Sequence, residues 1–283
     1  DIGVKRGEPV GLISDNREEW QQSDMGIMAI GAVDVPRGCD ATLQDLEAIL
    51  SITECKVCIA ENPAQAKKIL SLKEKLSHLK TIIVFDELNG AIKEEAEACG
   101  VKIICFSAVV KEGKKYRIEH KNLVEEELEK GNWDDLACII FTSGTTGTPK
   151  GVELTHGNFL TQLDELPERI ILNPGDRAVC VLPIWHVFER ACEYVIIIQA
   201  ASICYSKPIG SVLLADMAKL NPALLPAVPR VFEAVYDGIT RKLRKTGGIV
   251  YALFRFFTAV AITHSRMQRK MFNRNPCFTR YYT

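Results

Sequence analysis

Ala137-Cys138-Ile139-Ile140-Phe141-Thr142-Ser143-Gly144-Thr145-Thr146-Gly147-Thr148-Pro149-Lys150-Gly151 passes from five apolar residues straight into a polar turn. The apolar run reads as a buried strand. Residues 141–151 then hold three glycines, five hydroxyl side chains and one lysine. Glycine lets backbone amides turn toward a ligand and come close to it. Successive amides in such a turn make an anion-binding concavity. The hydroxyls add donors, and Lys150 supplies a point charge for phosphate. This chemistry points to a polyphosphate. The pattern is not a Walker loop, which needs glycine before the lysine and Ser or Thr after it; here Pro149 precedes Lys150 and Gly151 follows. The dinucleotide pattern GxGxxG is also absent. Val152-Glu153-Leu154 reads as a short strand rather than an immediate helix, so amides and hydroxyls, not a helix dipole, are expected to do the holding. A flexible linker is the alternative, and Pro149-Lys150 set between two strands argues against it.

Outward from the loop, strand-like and helix-like segments alternate. Strands are expected over 8–14, 33–36, 55–60, 81–85, 101–106 and 137–141, and helices over 17–30, 42–52, 63–76, 92–99 and 120–130. Asp15 and Asn16 offer caps for the first helix, and Thr42 with Asp45 a near capping box for the second. Strand alternating with helix argues for a mostly parallel sheet. Short, fully apolar strands fit a sheet covered on both faces. The expected fold class is therefore α/β, with βα-repeat parallel sheets covered by helices. No internal repeat is visible. Residues 111–129 are the most polar stretch and the best candidate for a surface excursion.

The chain has 283 residues, 47% hydrophobic and 25% charged, with a net charge of −1. That composition excludes a disordered or collagenous chain. The near-zero charge conceals a split. Residues 1–237 hold 25 basic and 36 acidic residues, a net −11, whereas residues 238–283 hold ten basic residues and no acid, a net +10. The expected division is a body over 1–237 and a basic, aromatic helical segment over 238–283. The ten cysteines mostly sit inside apolar runs, where a thiol behaves as a small hydrophobe. Cys55 and Cys58 form a lone CxxC without the second pair that zinc would need, in a strand-like run rather than at a helix start. Scattered thiols fit a reducing, cytoplasmic setting. The chain opens at Asp1 without a signal peptide and reads as the middle of something longer.

FTSGTTGTPKGVELTHGN, residues 141–158, closely resembles the phosphate-binding signature of the AMP-forming adenylating enzymes. Leu182-Pro183-Ile184-Trp185-His186-Val187-Phe188-Glu189-Arg190, with Glu193-Tyr194, resembles the LPxWHxFER-x-x-EY signature of long-chain fatty acyl-CoA synthetases. Tyr205-Ser206-Lys207-Pro208 and Val228-Pro229-Arg230-Val231-Phe232-Glu233 are similar to further blocks of that family, as is VKRGEPVGLISDNREEW at residues 4–20. The resemblance implies ATP-dependent activation of a fatty carboxylate to acyl-adenylate and pyrophosphate, then displacement of AMP by the thiol of coenzyme A. It implies that Thr142, Ser143, Gly144, Thr145, Thr146, Gly147 and Lys150 hold the β and γ phosphates, with Mg²⁺ neutralising charge. No metal-ligating residue is assigned. His186 resembles the histidine near the acyl-adenylate; a structural histidine under the sheet is the other reading. Trp185 reads either as the wall of an acyl tunnel or as core.

The family's Tyr-Gly-x-Thr-Glu block, ribose-binding aspartate and small C-terminal domain with its catalytic lysine have no match here; Gly175-Asp176 and Thr53-Glu54 are misplaced for them. The expectation is a portion of an adenylating enzyme with little or no ligase activity alone. An acyl carrier protein as acceptor, or a non-catalytic nucleotide-binding module, are the alternatives. In the basic segment, the apolar run 249–262 is interrupted by Arg255 and reads as too short for a membrane span of about 20 residues. A peripheral membrane contact through 249–282, at the inner face of a membrane, is one reading. A helical insertion packed on another part of the protein is the other; nucleic acid is not an expected partner.

Overall fold

A computed structural model describes residues 2–142 and 149–272. Two compact units emerge, one of Asp1–Ser206 with Leu220–Pro226 and one of Lys207–Lys219 with Ala227–Thr283.

The first unit runs β1 (Pro9–Ile13), α1 (Glu18–Ala29), β2 (Val33–Arg37), α2 (Leu43–Ile52), β3 (Val57–Ala60), α3 (Pro63–Leu70), β4 (Thr81–Val84), α4 (Gly90–Ala98) and β5 (Lys102–Cys105). It continues through α5 (Phe106–Glu119), α6 (Leu123–Glu129), β6 (Leu136–Thr142), β7 (Lys150–Thr155), α7 (His156–Glu165), β8 (Arg177–Cys180), α8 (Val187–Ile198) and β9 (Ser202–Tyr205). The main sheet has the order β5-β4-β3-β1-β2-β6-β7. Every pairing in it is parallel except β6 with β7, which is antiparallel. Strands β8 and β9 form a separate parallel pair.

Side-chain alternation explains how both faces are covered. Val57 and Ile59 of β3 join Val10, Leu12, Ile83 and Trp20 on one face. Cys58 and Ala60 join Ile82, Val84, Leu46, Ile49 and Ile69 on the other. Gly11 is needed in β1 because a Cβ there would meet Leu50 Cδ2 at 2.8 Å and Cys58 Sγ at 3.0 Å. The CxxC pair is packing: both thiols are buried, and burial pushes Cys55 up to about 12 and Cys58 well above the ordinary range.

Several expected elements need correction. No side chain caps α1, whose N-cap is Arg17; Asp15 and Asn16 are engaged elsewhere, as shown below. Helix α3 stops at Leu70 rather than 76, because Leu72, Leu76 and Leu79 are all buried and the chain must turn to bury them. The fifth strand ends at Cys105, and Phe106 opens α5 and packs edge-on against Phe85 at 5.1 Å. Helix α5 lacked a sequence signal because none of its residues is buried. The Thr42–Asp45 capping box forms as read, with Asp45 N–H donating to Thr42 Oγ1 at 3.1 Å and Thr42 N–H to Asp45 Oδ2 at 3.0 Å.

The second unit holds α9 (Gly210–Leu220), α10 (Pro229–Thr246) and α11 (Gly248–Phe272). Proline at the first position opens α10, and Gly247, at φ +65°, follows its last residue. The charge boundary at 237/238 therefore falls inside α10, and the compact units divide the chain elsewhere. Helix α11 is longer than its apolar run, because the basic residues after Ile262 continue the same helix. Its stretch Gly248–Gln268, with mean hydropathy 1.3 and none of it buried, is long and apolar enough to cross a membrane by length and composition.

Candidate functional site

Strands β6 and β7 form a hairpin whose last cross-strand pair is Thr142 opposite Lys150. Ser143, Gly144, Thr145, Thr146 and Gly147 lie between them, outside the described residues. The exposed Thr142 hydroxyl and Lys150 ammonium thus flank the glycine loop on both sides. The element that directly follows the loop is the strand β7, not a helix. Gly151 serves packing rather than a turn: a Cβ there would lie 2.8 Å from Ile139 Cγ2 and 3.2 Å from the Phe141 ring.

The hairpin forms one wall of a cleft of about 490 Å³. Thr142 and Pro149 line it beside the apolar Ile140, Val152 and Leu154. Trp185, His186 and Val187 also line it, as do Arg37, at the carboxyl end of β2, and Asp45. Arg37 stays in place through ion pairs with Asp40 at 3.3 Å and Asp45 at 3.9 Å. A basic residue at a strand's carboxyl end was the available signal for it.

Two residues from the sheet's carboxyl edge seat the Leu182–His186 loop. The Asn16 side-chain amide donates to the Leu182 carbonyl at 2.6 Å, and its Oδ1 accepts from Ile184 N–H at 3.0 Å. Asp15 accepts from Cys39 N–H at 3.0 Å, fixing the turn after β2. That turn holds Gly38, where a Cβ would lie 2.4 Å from two Trp185 ring carbons. Trp185 is half-buried, resting on the Val10–Trp20 core layer while also lining the cleft. His186 is exposed and is the N-cap of α8, its Nδ1 accepting from Phe188 N–H at 3.3 Å. In the neutral ring this leaves the proton on Nε2.

The rest of the second signature points inward. Arg190, Asp24 and Asp34 have fully buried side chains. Arg190 Nη1 pairs with Asp34 Oδ2 at 2.9 Å, and Nη2 hydrogen-bonds Asp24 Oδ1. Arg190 Nε donates to the Tyr194 hydroxyl at 2.7 Å, which donates to Asp24 Oδ2 at 2.5 Å. The guanidinium also lies 5.5 Å from the Trp20 ring and 5.3 Å from the Phe159 ring. Burial, helped by neighbouring Asp24 and opposed by Arg190, pushes the Asp34 carboxyl up to about 8. Burial likewise raises Glu189 to about 7 and Glu193 to about 8. Helix α8 is thereby pinned to α1 and β2, which fixes the loop preceding it.

Across residues 1–279 the chain matches the AMP-binding enzyme family. The chain belongs to that family.

Among relatives of the chain is Long-chain-fatty-acid--[acyl-carrier-protein] ligase AEE15, chloroplastic, of Arabidopsis thaliana, 29% identical over 99% of the chain and 38% of that protein. Long-chain-fatty-acid--CoA ligase 1 of Homo sapiens is 30% identical over 81% of the chain and 33% of its own length. The chain thus spans less than half of the curated relatives it matches. The adenylation domain of a carboxylate reductase from Mycobacterium chelonae superposes with TM-score 0.68 at 20% identity, covering 87% of the chain and 39% of that structure. The N-terminal domain of FACL13 from Mycobacterium tuberculosis gives 0.59 at 20% identity, covering 82% and 52%. These structures share the α/β fold.

Two groups of three possible metal ligands occur among the described residues, Asp15-Cys39-Glu61 and Cys180-Glu189-Glu193. Neither lines the cleft. The cleft's polar lining is Thr142, His186 and the Arg37–Asp45 ion pair, and its apolar wall of Ile140, Val152 and Leu154 suits a hydrocarbon chain.

Proposed function

We propose that the chain carries the nucleotide- and acyl-binding part of an AMP-forming long-chain fatty acid ligase. The observation that supports it most is the hairpin, which sets Thr142 and Lys150 at the two ends of the glycine loop and lines, through Thr142, Pro149, Ile140, Val152 and Leu154, a cleft with an apolar wall. Thr142, Ser143, Gly144, Thr145, Thr146, Gly147 and Lys150 hold the β and γ phosphates of ATP. The fatty carboxylate oxygen attacks the α-phosphorus; the bond to the pyrophosphate oxygen breaks, and negative charge gathers on pyrophosphate. Lys150 and the loop donors offset that charge, which is where catalysis of phosphorus chemistry resides. Mg²⁺, when bound with ATP, supplies further charge neutralisation on the phosphates. Trp185 with Ile140, Val152 and Leu154 receives the acyl chain, and His186 meets the acyl-adenylate through Nε2. In the second half-reaction a thiol sulfur attacks the acyl carbonyl, AMP leaves and the thiol proton is released.

The thiol belongs to coenzyme A in this reading. An acyl carrier protein is the second reading, favoured by the Arabidopsis relative named for that acceptor. Equilibrium binding of ATP with Mg²⁺ to the 283-residue chain tests the shared core. Lys150→Ala is expected to weaken binding about tenfold or more, the loss of one charge-assisted contact. Absence of ATP binding by the unaltered chain sinks the proposal. ATP binding with no pyrophosphate release in the presence of a long-chain fatty acid favours a nucleotide-binding module instead.

A further inference from the structure

The second unit contains a site that ATP and fatty acid chemistry leave unused. Helices α10 and α11 line an open cavity of about 570 Å³, with Arg241, Arg244, Arg255, Tyr236, Tyr251 and Asp237 on its walls. Three arginines and one carboxylate thus line the cavity, and no acid follows Asp237 in the sequence. Arg244 Nε donates to the Tyr251 hydroxyl at 3.0 Å, tying the two helices together across the Gly247–Gly248 turn. Thr240 lines the same cavity, and its buried hydroxyl has no hydrogen-bond partner among the described residues.

The other side of α11 is apolar. Ile249, Leu253, Phe256 and Val260 recur every three or four residues, flanked by Val250 and Phe257. All six are exposed, Ile249 by 78% and Phe256 by 63%. That spacing puts them in one stripe. Arg255 and Arg266 lie off the stripe, on the helix flank toward the cavity. A helix with such a stripe and a basic opposite face lies in a membrane interface rather than across it. With the stripe at the hydrocarbon boundary, the cavity arginines stand about one helix width, ~10 Å, away, at headgroup level.

We propose that the α10–α11 pair is a binding site for anionic phospholipid in a bilayer surface, Arg241, Arg244 and Arg255 taking the headgroup phosphate and the Ile249–Val260 stripe lying among the acyl chains. Charge complementarity chooses this occupant: +10 over residues 238–283 matches an anionic leaflet. The site is independent of the ligase reading.

Flotation of the 283-residue chain with vesicles of phosphatidylcholine alone, or mixed with phosphatidylglycerol, tests it. Binding is expected only to the mixed vesicles, and to vanish when salt shortens the Debye length to about 3 Å. Each of Arg241→Gln, Arg244→Gln and Arg255→Gln is expected to weaken binding about fivefold. Phe256→Glu with Phe257→Glu should abolish it while leaving the circular dichroism spectrum and the arginines intact. Equal binding to both vesicle types, or to neither, overturns the proposal. Arginine-dependent binding that free inorganic phosphate competes away, with no effect of the phenylalanine changes, identifies a soluble anion and also overturns it. Resistance to alkaline extraction marks a span and does the same.

Discussion

At Gly38 an added Cβ would lie 2.4 Å from two carbons of the Trp185 indole, so this one hydrogen side chain sets where the cleft wall stands. Gly38→Ala is expected to displace the indole and change the protein's tryptophan emission; the change should disappear when Trp185→Phe is already present. If the change persists in that background, Gly38 does not act through Trp185. Asn16 holds the other end of the same loop with two hydrogen bonds to buried-side backbone. Asn16→Ala leaves a carbonyl and an N–H without those partners, costing about 1–3 kcal/mol; a drop in thermal midpoint measures it. Neither role was legible in the sequence. Asn16 sits beside a helix start and reads as a cap, and its true partners are 166 and 168 residues away.

Helix α8 is the element where burial and charge compete. Its Glu189 and Glu193 have carboxyls raised to about 7 and about 8, chiefly by burial. A carboxyl raised in the folded state holds its proton where the unfolded chain has released it. Stability is therefore greatest below the ordinary carboxylate range and falls as pH rises from about 4.3, the free glutamate value, toward 8. The urea midpoint is expected to fall between pH 5 and pH 8, and to fall less in Glu189→Gln with Glu193→Gln; equal slopes would refute the assignment. Breaking the pair network is costlier. Arg190→Ala leaves two buried carboxyl groups without their cationic partner, at about 3–5 kcal/mol, whereas Arg190→Met removes the charge but keeps volume and should cost less when Asp34→Asn accompanies it. The signature around Arg190 pointed to a site from sequence, yet the structure divides it: Trp185, His186 and Val187 line the cleft, while Arg190 and Tyr194 anchor the helix.

Across the whole molecule, burial is uneven. Strands β1, β3 and β4 lie between two apolar layers, while α5 and α6 bury no residue. Hydrogen exchange is expected to be slowest in those strands and fastest in α5 and α6; comparable protection in α5 would contradict the packing described. The parallel α/β fold and the glycine loop set between two strand-like runs were legible in the chain alone; the antiparallel pairing that puts Thr142 opposite Lys150 was not. Strand apolarity, strand–helix alternation and glycine-loop composition are local properties, and local properties are what a linear sequence displays. The cleft was not legible, because Arg37, Gly38, the hairpin and Trp185 come from segments far apart in the chain. The same holds for the charge split: the sequence by itself determined that residues 238–283 carry +10, but only the folding of α10 against α11 decided that three of those arginines share one cavity. Backbone pairing and helix packing bring distant side chains within contact distance, and that is information sequence order does not contain.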